Sequence, residues 1–373
     1  MRNTFLLRSL LAATLAAAYA AAPATAQAQT TIDSAPGDDA PGAVFVLTNQ
    51  PTGNAVLAYA RAANGSLKLA GSYPTGGKGA GSGGDPLGSQ GSLTLGSGFL
   101  FAVNAGSNDV SMFAVRGTKL VLVDRKPSGG QMPVSVAVKG FVAYVLNAGG
   151  TPNVSGFFVD PVNRHLLALP NSTRALAGGK SALPAMVGFS ADGDELFVSE
   201  KGTQLIDSYR IGSLGEASAA IPNASFGVTP FGFATLADGD ALFAEAGSNA
   251  VSSYAINDMH KLDTITGSIR LAQLAPCWIV ATGDGRYAYT ANAGSGTISS
   301  LRVSMDGTIR LKDAKAAVVG QPFDLALSKN SKFLYVREGN GTLSGFSVNT
   351  DGSLTPAGTA SGIPAGAQGI AAR

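Results

Sequence analysis

The sequence predicts an all-β chain folded as a seven-bladed β-propeller, and three observations carry that expectation. A strand–turn–strand kernel recurs seven times, its spacing is regular, and glycine and proline punctuate the chain between copies. The clearest kernel is FLFAVNAGSNDVSMFAV (99–115), with near-copies at 195–211, 241–256 and 287–303 and looser ones at 44–60, 142–159 and 333–348. The polar residue closing each kernel's first strand falls at 49, 104, 147, 200, 245, 292 and 338, a step of about 48 residues that matches propeller blades. Forty-nine Gly and 18 Pro suit many short strands joined by tight turns rather than helices.

Taken in order, the chain opens with a targeting pattern. Arg2 and Arg8 precede the apolar run 10–22, and small residues between Ala24 and Ala28 offer cleavage sites, so residues 1–28 read as a signal peptide. Residues 29–42 (QTTIDSAPGDDAPG) read as a flexible lead-in, and residues 43–373 as the propeller. Export to the periplasm or beyond follows from that pattern, with no membrane association once the signal is cleaved. The lone Cys277 offers no disulfide, so packing must stabilise the fold.

Each kernel is preceded by a short apolar strand, usually led by proline: PVSVAV (133–138), PAMVGF (184–189), PFGFAT (230–235), PCWIVA (276–281), PFDLAL (322–327), with QGSLTL (90–95) in the same slot. Asp192-Gly193, Asp238-Gly239 and Asp284-Gly285 then supply hairpin turns. A second turn and a variable fourth strand complete the blade. The first kernel lacks a leading strand, and AQGIAAR (367–373) resembles one, so residues 368–372 are expected to close the ring as the inner strand of the first blade. Four antiparallel strands repeated radially leave only short, protected edges.

Lys+Arg (26) and Asp+Glu (24) nearly balance and form no basic run, which argues against a nucleic-acid partner. In a four-stranded blade the start of the first strand and the end of the second emerge on one face. Asn49, Asn104, Asn147, Glu200, Glu245, Asn292 and Glu338 are therefore expected to ring the mouth of the central channel. Asn favours such corners for turn chemistry alone, whereas Glu does not; Glu200 and Glu245, in adjacent blades, are the candidate catalytic bases. Asn49, Asn104, Asn147, Asn292, Glu338 and Trp278 are candidate substrate contacts. No His sits beside a Ser or Cys near the mouth, and the chain lacks the His and Cys of a zinc site, so neither a catalytic triad nor a metal is expected. The run GGKGAGSGGDPLGSQG (76–91) lacks the Ser/Thr and following helix of a phosphate loop and reads as a mobile loop at the channel mouth.

The seven kernels, the FSADG turn (189–193) and the stretch GDGRYAYTANAGSG (283–296) resemble the seven-bladed lactonase family of propeller-type 6-phosphogluconolactonases and carboxy-muconate cyclases. That resemblance implies hydrolysis of a sugar or carboxy lactone at the mouth, by a monomer without a cofactor, acting on a lactone or carbohydrate-like small molecule. The family's His, Arg and Glu positions hold Ala185, Cys277 and Ala293 here. The alternative is a non-catalytic propeller that binds a small molecule, glycan or protein at the same face.

Overall fold

The computed structural model describes residues 41–81 and 85–373; the expected signal peptide and nearly all of the lead-in lie outside them. The described residues form seven antiparallel sheets, each built on a four-strand path. From the axis outward, the second blade runs Leu93–Gly96, Phe99–Asn104, Asp109–Arg116 and Lys119–Pro127. The fifth runs Pro230–Thr235, Ala241–Glu245, Ala250–Ile256 and Leu262–Arg270, and the fourth, sixth and seventh repeat the order.

The burial pattern explains why the kernel is the most regular part of the repeat. The second strand of each blade packs on both faces against neighbouring blades, so Phe99–Asn104, Glu195–Glu200, Tyr287–Asn292 and Phe333–Glu338 are buried at every position. Strands of that kind must be near-continuous apolar runs. Fourth strands lie at the rim, alternate exposed and half-buried residues, and vary in sequence accordingly. The third blade departs most: its fourth strand is only His165–Ala168, and a two-residue strand, Arg174–Ala175, takes over the remaining edge of Asn153–Asp160.

Ring closure is as the sequence predicts. Ile370–Ala372 pairs antiparallel with Gly42–Leu47, Gly369 O accepts from Leu47 N at 2.9 Å, and Gln368 N donates to Leu47 O at 3.0 Å.

The starts of the inner strands share one backbone device. Met132, Leu183, Thr229 and Ala275 each precede a proline yet hold φ between 44° and 59°. Residues before proline normally stay extended, and non-glycine residues rarely adopt positive φ. Three of their carbonyls explain the cost: Leu183 O, Thr229 O and Ala275 O accept the N–H groups of Lys201, Ala246 and Ala293 at 3.3, 2.9 and 2.9 Å. Each linker is thereby tied to the hairpin turn at the end of its own blade's second strand, which positions Lys201 beside the channel mouth.

Candidate functional site

The seven ring residues occupy equivalent positions, and all are buried. Each reaches the linker entering its own blade rather than another member of the ring, and Asn49 also reaches the linker entering the next blade. Glu200 accepts from Gly178 N at 3.1 Å, Glu245 from Gly227 N at 2.9 Å, and Glu338 from Gly320 N at 2.6 Å. Hydroxyls complete each shell: Thr203 for Glu200, Ser252 and Ser268 for Glu245, Ser344 for Glu338. A side chain on Gly178, Gly227 or Gly320 would run into the facing carboxylate, so glycine in the linker is what lets Glu reach the backbone.

The Asn members do the same with an amide. Asn49 bridges Gly366 O and Ala80 N, Asn104 accepts from Thr75 Oγ1 at 2.7 Å, Asn147 donates to Ser128 O, and Asn292 reaches the linker residue Gln273 through Thr297. Among the described residues no hydrogen bond joins one of the seven to another. The carboxyl beside Glu200 is Asp207 on the next strand.

Asp207 has its own consequence. Burial, reinforced by the adjacent Glu200, raises its pKa to about 7, against the pull of the Ala177 N–H it accepts at 2.8 Å. The folded-state pKa lies above the unfolded value of about 3.9. Stability from this proton is therefore complete below that value and lost as pH rises toward 7. Asp207→Asn keeps an acceptor for Ala177 and removes the titration. The wild-type melting temperature is expected to fall by several degrees between pH 5 and pH 8 and that of Asp207→Asn to fall distinctly less; parallel curves would show that the proton is not held there.

Residues 85–91, read from sequence as part of a mobile loop, instead form an ordered plug across the axis. Leu87, Ser89 and Gln90 are buried. Leu87 N donates to Gln368 Oε1 at 3.0 Å, Ser89 Oγ to Val134 O at 2.8 Å, and Gln90 N to Ala185 O at 3.1 Å. The Gln90 amide pairs with both N and O of Ile279, at 3.1 and 2.8 Å. The segment thus bonds to inner strands of blades 1, 3, 4 and 6. Gly232 of blade 5 makes room for it, since a Cβ there would overlap Gln90 Oε1. A closed mouth in place of an open channel is legible only from these long-range bonds.

Trp278 belongs to the plug as well. It is fully buried, donates from Nε1 to Ser89 O at 2.8 Å, and sits edge-on between Phe231 (5.2 Å) and Phe323 (5.9 Å). Burial removes it from contact with any ligand at the mouth, contrary to the sequence expectation. The two outer rings each carry a cation: Lys201 Nζ lies 4.7 Å from the Phe231 centroid and Arg337 Cζ 5.5 Å from that of Phe323.

Four charged groups sit around the plug: Asp85, Lys201, Arg337 and Asp324. Asp85 Oδ1 accepts from Gly88 N at 2.9 Å and from Gln368 Nε2, while Lys201 Nζ donates to Gly88 O. One residue, Gly88, therefore holds an acid through its N–H and a base through its carbonyl. Burial raises the pKa of Asp85 despite the attraction of Lys201, and burial lowers that of Lys201 despite Asp85. Deeper in, burial takes Asp324 well above the usual carboxylate range and Arg337 down to about 10. Cys277, at the position where the family resemblance expects Arg, is buried with its thiol pushed up to about 12, which rules out a thiolate nucleophile. The two histidines serve elsewhere: His260 Nδ1 meets Glu195 at 2.9 Å and His165 Nδ1 meets Asp124 at 3.5 Å.

Sequence reasoning missed Asp85, Lys201 and Arg337. The available signal was positional. Arg337 is the only charged residue one place before a ring position, where other blades have Thr48, Val103, Leu146, Ser199, Ala244 and Ala291, and Asp324 is the only charged residue at its inner-strand slot.

No protein-family model and no curated protein matches the chain by sequence. Its backbone is similar to the periplasmic gluconolactonase of Pseudomonas aeruginosa (TM-score 0.67, 17% identity, 89% of this chain and 98% of that one). It is similar also to a candidate 6-phosphogluconolactonase from Bacteroides fragilis (0.66, 17%, 90% and 98%) and, more distantly, to virginiamycin B lyase from Staphylococcus aureus (0.51, 13%, 85% and 88%). At these identities the likeness is one of fold: the chain has the seven-bladed propeller architecture that those structures share.

Proposed function

We propose that the chain is a lactone hydrolase whose reacting groups are Asp85 and Lys201 at the plugged mouth. The observation that carries this reading is Gly88, whose N–H holds the Asp85 carboxylate, of raised pKa, and whose carbonyl holds the Lys201 ammonium, of lowered pKa. A carboxylate of raised pKa is the stronger base, and general-base efficiency rises as its pKa nears the working pH. Asp85 takes a proton from a water as that water attacks the lactone carbonyl. The Lys201 ammonium has three N–H donors, one of them on Gly88 O, and a second stabilises the oxyanion. Collapse breaks the acyl–oxygen bond, the ring oxygen leaves with the proton from Asp85, and the product is the open hydroxy acid. Glu200 and Glu245 act in this reading as positioning residues, holding the linkers that carry Leu183 and Thr229.

The export pattern and the fold shared with a periplasmic lactonase support action outside the cytoplasm on a small-molecule lactone. The test is hydrolysis of a lactone panel by wild type, Asp85→Asn and Lys201→Met. Removal of a general base or an oxyanion donor typically costs about 100-fold or more. A loss of that size in kcat/KM is expected for both variants, with melting temperatures near wild type. Equal rates in all three proteins would transfer the chemistry elsewhere, and no turnover in any would favour the binding-protein alternative.

A further inference from the structure

We infer that the cleft between blades 6 and 7, on the face opposite the plugged mouth, is a binding site for an anionic saccharide. Inner strands start at the mouth, so the turns that end them lie on that opposite face. Two of these turns, at 282–287 and 329–333, wall the cleft together with residues 347–350 of blade 7. Its volume is about 620 Å³, within the range of about 300–1,000 Å³ usual for small-molecule sites.

The first ground is a set of departures from the repeat that meet in this one cavity. The turns of blades 4, 6 and 7 share a hydrogen-bond pattern: Ser190, Thr282 and Ser328 donate from N to the carbonyls of Glu195, Tyr287 and Phe333 at 2.9, 2.9 and 2.8 Å. Blade 4 fills that turn with Ala191, Asp192, Gly193 and Asp194. Blade 7 has Lys329, Asn330, Ser331 and Lys332 instead, and blade 6 has Arg286 where blade 4 has Asp194. Ser331 holds φ at 57°, where Gly193 and Gly285 hold 85° and 68°. A serine in the left-handed region is strained, and strain of that kind is retained where function needs the side chain. The Ser331 hydroxyl accepts from Gly283 N at 2.9 Å and so ties the two turns together.

The second ground is charge. Arg286, Lys329 and Lys332 line the cavity with a single carboxylate, Asp284. That carboxylate is already engaged: its Oδ1 accepts from Thr282 Oγ1 at 2.6 Å and from Arg286 N at 3.1 Å, and its Oδ2 lies 3.9 Å from Arg286. Asp351, next to the lining residue Thr350, faces Lys312 at 3.9 Å. Positive charge is therefore in excess here, whereas the turns of blades 4 and 5 carry Asp192, Asp194, Asp238 and Asp240. The Arg286 guanidinium lies 5.5 Å from the Tyr287 ring centroid. That stacking leaves its N–H edge for a paired bond to a carboxylate or phosphate. Hydroxyls of Ser347 and Thr350 add donors and acceptors, while the Tyr287 and Phe333 rings are only 6% exposed each. Such a wall suits a polyhydroxylated body rather than an apolar one.

Calorimetric titration with glucuronate, glucose 1-phosphate, inorganic phosphate and glucose is the test. Glucuronate or glucose 1-phosphate is expected to bind, the better of the two identifying the anion, with glucose silent and inorganic phosphate weaker than its sugar ester. Arg286 and Lys329 are exposed, so Arg286→Ala and Lys329→Ala should fold normally; each is expected to weaken binding about tenfold. Ser331→Gly restores the residue of the other turns, and is expected to hold or raise the melting temperature while weakening binding. Absence of binding by both anionic sugars overturns the inference. So does inorganic phosphate binding as tightly as glucose 1-phosphate, or affinity unchanged in both cation variants. Turnover enters none of these readouts, so the outcome is independent of Asp85 and Lys201.

Discussion

A chain ending at Ile363 is expected not to fold into a stable monomer. The lost residues include Ile370–Ala372, the inner strand of the first blade, and Gln368, which donates to Asp85 and Ser89 and accepts from Leu87. Burial of Ile370 contributes about 2 kcal/mol, and each net hydrogen bond about 1 kcal/mol. Four backbone bonds to Ala43 and Leu47 and three to the plug therefore bring the loss to roughly 6–9 kcal/mol. That is comparable to the whole stability of an ordinary domain, about 5–15 kcal/mol. The truncation also leaves Gly42–Leu47 as an exposed, wholly apolar edge, a template for aggregation. Size-exclusion chromatography and calorimetry decide: aggregation, or a melting temperature lower by well over 10 °C, is expected. A cooperative transition at the wild-type temperature would mean the strand is dispensable.

Trp278→Ala is expected to cost about 3–5 kcal/mol, the range for removing a large buried aromatic side chain. Both neighbouring rings lose their packing partner, and Lys201 and Arg337, which stand on those rings, lose their support. Trp278→Phe keeps a ring between Phe231 and Phe323 but loses the bond to Ser89 O and part of the ring volume, for about 2 kcal/mol. Urea denaturation of the two variants gives both numbers. Similar losses in the two would place the stabilisation in the plug bond rather than in the stacked rings.

Fold was legible because the propeller imposes the same burial on every blade. Central strands packed on both faces must be apolar runs, many of the turns carry Asp-Gly or Asn-Gly, and AQGIAAR matched a missing inner strand. Ring membership of Asn49, Asn104, Asn147, Glu200, Glu245, Asn292 and Glu338 was legible for the same reason. Their role was not, because sequence periodicity fixes which strand end a side chain leaves but not whether it turns toward the axis or toward the linker. Gly178, Gly227 and Gly320 decide that direction, and they lie 18–22 residues away from their partners. Asp85 and Lys201 were hidden differently. The plug has no counterpart in other blades, so no repeat pattern pointed to it, and its glycine-rich composition suggested mobility. Its order comes from bonds to four blades that are distant in sequence.

The pH dependence of kcat/KM tests the assignment of Asp85 and Lys201 most directly. The base works only when ionised, and burial raises its pKa, so activity is expected to climb with pH through a midpoint above the ordinary carboxylate value of about 3.9. The ammonium works only when protonated, and burial lowers its pKa, so activity is expected to fall again below the ordinary lysine value of about 10.4. Residual activity of Asp85→Asn should lack the acid limb, and that of Lys201→Met the alkaline limb. Profiles in which both limbs survive in both variants would contradict the account and place the chemistry on other groups.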